Sequence, residues 1–213
     1  MVTAAIPAES TRDRLLAAGR EIMLKQGFRS LTVREVASAA GANLGSFVYH
    51  FGTRDAYVQA IIEEWYAPLL SRVTDVADGG GTPLERLRRS ILQLIDFLTE
   101  NDVFIGRLVM AAAAGEQAAR RFLASLAGRH PRVLLRLVSA AQIDGAIVEE
   151  HPMQVLCFIM ASVGLPRLLA SAWQGPPLFT GPMATTLGRI AGDRDRIVQR
   201  LDWAILGLTP KGS

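Results

Sequence analysis

Between Thr32 and Arg54 the sequence gathers hydroxyl, amide, imidazole, phenol and guanidinium groups, the donors that meet phosphate oxygens and base edges. Their spacing is ordered. Thr32 stands three residues before Glu35, as a capping box requires, so a short helix is expected at 33–40 with Val36, Ala37 and Ala40 on one face. Gly41 ends it, because glycine most easily takes the left-handed conformation that follows a helix. Asn43 then caps a second helix at 43–50, on which Phe47, His50 and Phe51 recur at helical spacing. Ala37 is small where the two helices must cross. Two short helices joined by a glycine turn have the spacing of a helix-turn-helix, whose second helix can enter a major groove.

The chemistry follows from position. Thr32 and Asn43 lie at helix starts, where free backbone N–H groups and the positive end of the helix dipole favour phosphate. Arg34, on the outer face of the first helix, adds a further phosphate donor. Leu44 and Val48 are four apart and share a face of the second helix, yet neither can donate a hydrogen bond. They suit thymine methyl groups, which leaves base-edge hydrogen bonds to Asn43 and Ser46 and implies a site rich in A·T pairs or read partly by shape. Bland alternatives stand beside these readings. Tyr49 and Phe51 fit as packing residues, His50 as a core histidine, Thr32 as a cap alone, and a helix-turn-helix can serve as bare scaffolding.

The flanking elements must position this pair. An amphipathic helix is expected at 11–26, with Leu15, Leu16, Ala18, Ile22 and Met23 as its stripe, ended by Gly27-Phe28. Thr53 caps a long helix that begins Arg54-Asp55-Ala56-Tyr57. With Leu31-Thr32-Val33, Val36-Ala37, Ala40-Gly41, Gly45-Ser46, Tyr49-His50-Phe51 and Thr53-Arg54-Asp55 in order, residues 11–62 resemble the DNA-binding domain of the tetracycline-repressor (TetR) family. The resemblance covers about a quarter of the chain. It implies that Gly45 lets the second helix approach the duplex closely and that Tyr49, His50 and Arg54 touch the phosphate backbone. Leu44 stands where the family often has a basic or polar residue, and Val48 where it often has an aromatic one.

The chain has 213 residues, half of them apolar, and a formal charge of +3. That is enough for a sizeable core, and the basic excess is mild. A single cysteine, Cys157, excludes an internal disulfide framework and suits a reducing compartment. No signal peptide is read at the N-terminus, and the longest apolar run, 153–166, falls short of the ~20 residues of a membrane span. A cytoplasmic protein without a membrane partner is expected. No strand-like alternation or internal repeat appears, so the fold class expected is all-α, an N-terminal three-helix helix-turn-helix domain (1–52) followed by a helical bundle (53–213). Further helices are expected at 53–78, 83–99, 102–113, 116–128, 131–143, 152–173 and 193–208. Thr82-Pro83-Leu84-Glu85 makes a strong helix start after Gly79-Gly80-Gly81. Residues 174–192, with Pro176, Pro177 and Pro182, read as a long surface loop.

In the bundle the resemblance implies an effector pocket between the middle helices and a dimer interface from the last two. Candidate pocket residues are Trp65, Phe97, Phe104, Met110, Met160 and Trp173, with Phe179 nearby and Arg107, Gln154 or Cys157 to orient a polar group. Methionine and aromatic residues make adaptable apolar walls, although at helical spacing they also serve as ordinary core. The helix at 152–173 is apolar on every side, including Val155, Phe158, Leu165 and Leu169, so a second subunit is expected to cover one side. Trp203 and Leu206 point away from the stripe of Ile197, Leu201, Ala204 and Leu208, as interface anchors or as residues covered by the 174–192 loop.

Nothing in the sequence asks for an enzyme. His50, His130 and His151 have no metal-ligand spacing, Cys157 has no second cysteine, and no nucleophile elbow is present. Neither metal nor cofactor is expected. The reading is a homodimeric, ligand-responsive regulator on double-stranded DNA. It is expected to repress from an inverted repeat and to be released by a small apolar or amphipathic effector, since no phosphate-binding glycine loop is present. The alternative is a small-molecule-binding helical protein that has lost specific DNA recognition.

Overall fold

Capping and periodicity place most of the chain in helices. The computed structural model describes residues 10–171 and 181–210, leaving aside the side chains of Leu165 and residues 167–171. Among the described residues the elements are α1 (Thr11–Gln26), a 3-10 turn (Phe28–Ser30), α2 (Val33–Ala39), α3 (Leu44–Phe51), α4 (Arg54–Asp78), α5 (Pro83–Glu100), α6 (Asp102–Ala113), α7 (Gln117–Ser125), a second 3-10 turn (Leu126–Gly128), α8 (His130–Ile143), α9 (Pro152–Ser171), α10 (Gly181–Gly192) and α11 (Arg194–Leu208). The all-α expectation holds. No described helix is long and apolar enough to cross a membrane.

The chain divides into two compact units. The first comprises residues up to Pro68 together with Asn101–Leu126. In it α1 packs on α2, α3 and α6, and α6 packs on α7. Its core holds Leu15, Leu16, Met23, Phe28, Val36, Phe47, Ile61, Phe104 and Phe122. Tyr57 is the hub of this core. Its ring lies 4.9 Å from those of both Phe47 and Phe51. Its hydroxyl donates to Leu15 O at 2.5 Å, which satisfies the one polar atom that burying a tyrosine strands. Gly19 makes room for this contact, since a Cβ there would lie 1.9 Å from the Tyr57 oxygen.

The second unit comprises Leu69–Glu100 and the chain from Ala127 onward. Here α5 packs on α8, and α9 packs on α8, α10 and α11. Leu87, Ile91, Leu137, Val138, Ile159, Ile197 and Leu201 are buried at its centre. The Thr82 box forms in both directions: Thr82 N donates to Glu85 Oε2 at 2.9 Å, and Glu85 N donates to Thr82 Oγ1 at 3.3 Å. Val148 N donates to Leu208 O at 2.8 Å, which ties the loop before α9 to the end of α11.

One expectation needs correction. Residues 181–192 are not loop but α10, in which Ala191 is buried on the unit and Pro182 occupies the first turn, where proline is tolerated. Trp173 and Phe179, offered for the pocket, lie outside the described residues. The compact units are drawn by contacts rather than by role, and they place α6 and α7 with the N-terminal helices.

Candidate nucleic-acid interface

The local sequence builds the motif as its spacing implies. Thr32 Oγ1 accepts the N–H of Glu35 at 3.2 Å and opens α2. The reciprocal half of the capping box is not made, because Thr32 N donates to Ser30 O at 2.8 Å in the preceding turn. Gly41 takes φ +59°, and Ala42 N donates back to Ala37 O at 2.9 Å, so the chain leaves α2 through a left-handed corner. Asn43 Oδ1 accepts the N–H of Ser46 at 2.7 Å and opens α3. A Cβ on Gly45 would sit 3.2 Å from that same oxygen, so the glycine protects the cap as well as thinning the helix surface.

Along α3 only Phe47 is buried. Leu44 is 48% exposed, Val48 56% and Tyr49 85%. Gly45 is also exposed, and Ser46 and His50 are half-buried. The outward side of the helix therefore offers two branched aliphatic groups, a phenol and a glycine gap. Large apolar side chains left in water on one short helix mark a contact surface. The free hydrogen-bonding capacity there is small: the Asn43 carbonyl oxygen serves the cap, leaving its amide N–H groups and the Ser46 hydroxyl for base edges. Arg34 is exposed on α2, and Thr32 is exposed at its start. His50 meets the Tyr49 ring edge-on at 5.0 Å and the Phe51 ring at 6.2 Å, so its imidazole is held among aromatics.

Arg54 departs from its expected place. Its Nε donates to Leu31 O at 2.9 Å, Nη2 to Phe28 O at 2.7 Å, and the guanidinium grips Glu116 at 2.9 and 3.3 Å. A guanidinium with four such contacts, paired to a carboxylate only 14% exposed, is a structural tie rather than a free phosphate donor. A second pair, Arg121 to Asp55, runs beside it. Sequence reading missed both, since a carboxylate sixty residues away leaves no periodic signal. Thr53 behaves as expected, its hydroxyl accepting the Ala56 N–H at 3.1 Å to cap α4.

The pocket candidates are dispersed. Trp65 and Phe104 come together in the first unit, stacked at 4.0 Å with 12° between their planes, and Trp65 Nε1 donates to Asn101 Oδ1 at 2.8 Å. Arg107 donates to Lys25 O at 3.1 Å, closing the end of α1, and Met110 faces solvent. In the second unit Phe97 is buried, Met160 is half-buried, and Cys157 and Gln154 are exposed. Of the interface candidates, Val155 must be withdrawn. It is buried within its own unit, on the side of α9 shared with Leu156, Ile159 and Val163. Phe158 is exposed, as are Trp203 at 61% and Leu206 at 70%. The side chains of Leu165 and Leu169 lie outside the described residues.

A capped two-helix motif with an outward, largely unburied second helix defines a helix-turn-helix DNA-binding protein. Comparison with known proteins agrees. Residues 15–61 match the model of the bacterial regulatory proteins of the tetR family. The chain is 25% identical over 169 residues to the HTH-type transcriptional repressor NemR of Escherichia coli K12, covering 79% of this chain and 82% of that protein. It is 33% identical over 79 residues to the repressor KstR2 of Mycobacterium tuberculosis H37Rv, covering 37% and 40%. The solved SmeT–triclosan complex superposes with a TM-score of 0.67 at 20% identity, covering 95% of this chain and 93% of that one. Residues 15–61 thus carry the DNA-binding domain of the tetR family of bacterial regulatory proteins, and the fold is that of solved TetR-type regulators.

Proposed function

We propose that the chain acts in the cytoplasm as a homodimeric repressor, released from an inverted-repeat operator by a small apolar or amphipathic effector. Residues 1–52 read the DNA, and residues 53–213 bind effector and partner subunit. The observation that carries this reading is α3, an eight-residue helix that buries Phe47 alone and leaves Leu44, Val48 and Tyr49 in water. On this reading Leu44 and Val48 meet bases beside Asn43 and Ser46. Thr32, Arg34, Tyr49 and His50 meet phosphate across the gap left by Gly45, and Arg54 acts by holding the motif's corner.

Dimerisation is supported by the apolar side chains that α9 and α11 leave uncovered, namely Phe158, Trp203 and Leu206. Such an arrangement turns one recognition helix into two, related by a two-fold axis, and so favours an inverted repeat. The effector is assigned to the neighbourhood of Trp65, Phe104 and Arg107. That choice is supported by where α6 reaches. Phe104 meets Phe28 edge-on at 6.1 Å, and Arg107 holds the Lys25 carbonyl in the last turn of α1, so a shift of α6 bears directly on the turn that enters α2. SmeT, alike in fold, is solved with the small molecule triclosan. Linkage requires the effector to weaken DNA affinity by the same factor as DNA weakens effector affinity, and ~1–3 kcal/mol of coupling gives a 5–150-fold change.

The test is selection of DNA from a random pool at low salt, followed by sedimentation with and without the selected duplex. The expected result is an enriched inverted repeat bound by two copies, with affinity falling steeply as salt rises. Recovery of no enriched sequence would turn the reading to a small-molecule-binding protein without specific DNA recognition.

A further inference from the structure

Where the C-terminal turn of α10 meets the first half of α11, the second unit opens a cleft of about 500 Å³. Arg189, Arg196 and Arg200 line it, with Asp193 and Gln199 between them and Ile190 and Trp203 as an apolar wall. Its size is that of small-molecule sites, which are commonly ~300–1,000 Å³.

The charges in this cleft are arranged unlike those around it. Two neighbouring arginines of the unit are neutralised by carboxylates: Arg194 holds both oxygens of Asp96 at 2.9 Å, and Arg88 holds those of Asp202 at 2.7 and 3.1 Å. Among the described residues Arg189 meets no acceptor, and Arg196 reaches only Gln199 Oε1 at 3.2 Å. The one carboxylate present, Asp193, is occupied as the cap of α11, accepting the N–H groups of Asp195 and Arg196 at 2.9 and 3.3 Å. Arg200 is fixed by two carbonyls, Nε to Ser162 O at 3.2 Å and Nη1 to Ile190 O at 2.9 Å, while its Nη2 is shielded from water without an acceptor. Burial lowers the pKa of this guanidinium, opposed by the nearby Asp193 charge. Three cations against one committed carboxylate leave an excess of positive charge beside an exposed indole.

We propose that this cleft binds a small aromatic carboxylate, its head group held by Arg189 and Arg196 beside the fixed Arg200 and its ring laid against Trp203. Guanidinium and carboxylate match as planar, bidentate partners, and an indole takes a flat ring in an offset stack. Inorganic phosphate satisfies the cations and leaves the apolar wall unused. A neutral aromatic does the reverse. The proposal rests neither on the DNA reading nor on the effector residues assigned above, and it takes Trp203 from the subunit contact, which then rests on Phe158 and Leu206.

The ligand to use is 2-naphthoate, titrated into the full-length protein and followed by the indole N–H signals of its three tryptophans in two-dimensional NMR, with Trp203→Phe identifying the relevant peak. Saturable movement of the Trp203 signal is expected, with a Kd on the order of 0.1–1 mM. The neutral 2-naphthamide should bind roughly ten-fold more weakly, and so should 2-naphthoate to the Arg189→Gln/Arg196→Gln protein. The titration overturns the proposal by no saturable shift, by shifts confined to the other two indoles, by equal affinity for acid and amide, or by equal affinity of wild type and double variant. Trp203 is also offered above to a second copy, so sedimentation accompanies the titration. The double variant should keep the wild-type oligomeric state. Loss of that state together with naphthoate binding would make the cleft a part of the subunit contact and end the anion-site assignment.

Discussion

Two helices of similar apolar character meet opposite fates in this molecule. α3 turns one aromatic residue, Phe47, into its unit's core and leaves Leu44, Val48 and Tyr49 outside. α9 sinks Val155, Leu156, Ile159 and Val163 and leaves Met153 and Phe158 outside. The exposed set on α3 sits beside hydroxyl, amide and imidazole groups, in keeping with a polar polymer as partner. Between Met153 and Phe158 on α9 the exposed polar groups are Gln154 and Cys157, fewer donors than stand beside α3, in keeping with a more apolar partner surface. Burial alone does not separate the two; the donors beside the exposed residues do.

The comparison is most sharply broken by paired truncations. Phe47→Ala empties the contact among Phe47, Phe51 and Tyr57 and should cost about 3–5 kcal/mol of unfolding free energy, whereas Phe158→Ala should change monomer stability by less than ~0.5 kcal/mol. Denaturant unfolding at low protein concentration reads both, and equal losses would erase the distinction. Arg54→Ala should come next, at about 2 kcal/mol, because it strands the half-buried Glu116 and two backbone carbonyls. If instead melting is unchanged and only DNA affinity falls, Arg54 is a phosphate contact after all.

A pH effect of similar size over the accessible range belongs to the second unit. Burial pulls the His130 imidazole down to about 4 from an ordinary value near 6.5. The unfolded chain therefore takes up the proton first as pH falls. The contribution is complete above about pH 6.5, declines between 6.5 and 4, and is gone below, amounting to about 3 kcal/mol over the whole range and about 2 kcal/mol by pH 5. Unfolding at pH 7.5 and 5 should show the loss, and His130→Phe should flatten it. The smallest stability effect is expected at Tyr49, exposed on α3. Tyr49→Ala should leave the Tm within a degree or two, yet weaken DNA binding several-fold on every sequence. A shift in sequence preference instead would make Tyr49 a base reader.

Most of the recognition motif is legible because each helix start carries its own chemistry: Thr32, Asn43 and Thr53 each accept an N–H at the start of the helix they open. α10 was missed because Gly181, Pro182, Gly188 and Gly192 carry turn signals. Packing of Ala191 and the half-buried Leu187 outweighs their poor propensity. Val155 was misplaced because a helix apolar all round does not say which side its own unit claims. Arg54 was misplaced because a family role describes where a side chain can reach, while Glu116, far off in sequence, decides where it goes.

Cys157 is the chain's one cysteine, and it stands exposed on α9. A thiol-directed spin label therefore attaches once per polypeptide, without any engineering of the sequence. Pulsed dipolar spectroscopy of such a sample is silent for an isolated molecule, because a single electron spin has no neighbour to couple to. Any resolved interspin distance must come from a second copy. The chain thus carries a ready-made ruler for self-association, and a change in that distance when operator DNA or a small ligand is added would report how far one copy moves against the other.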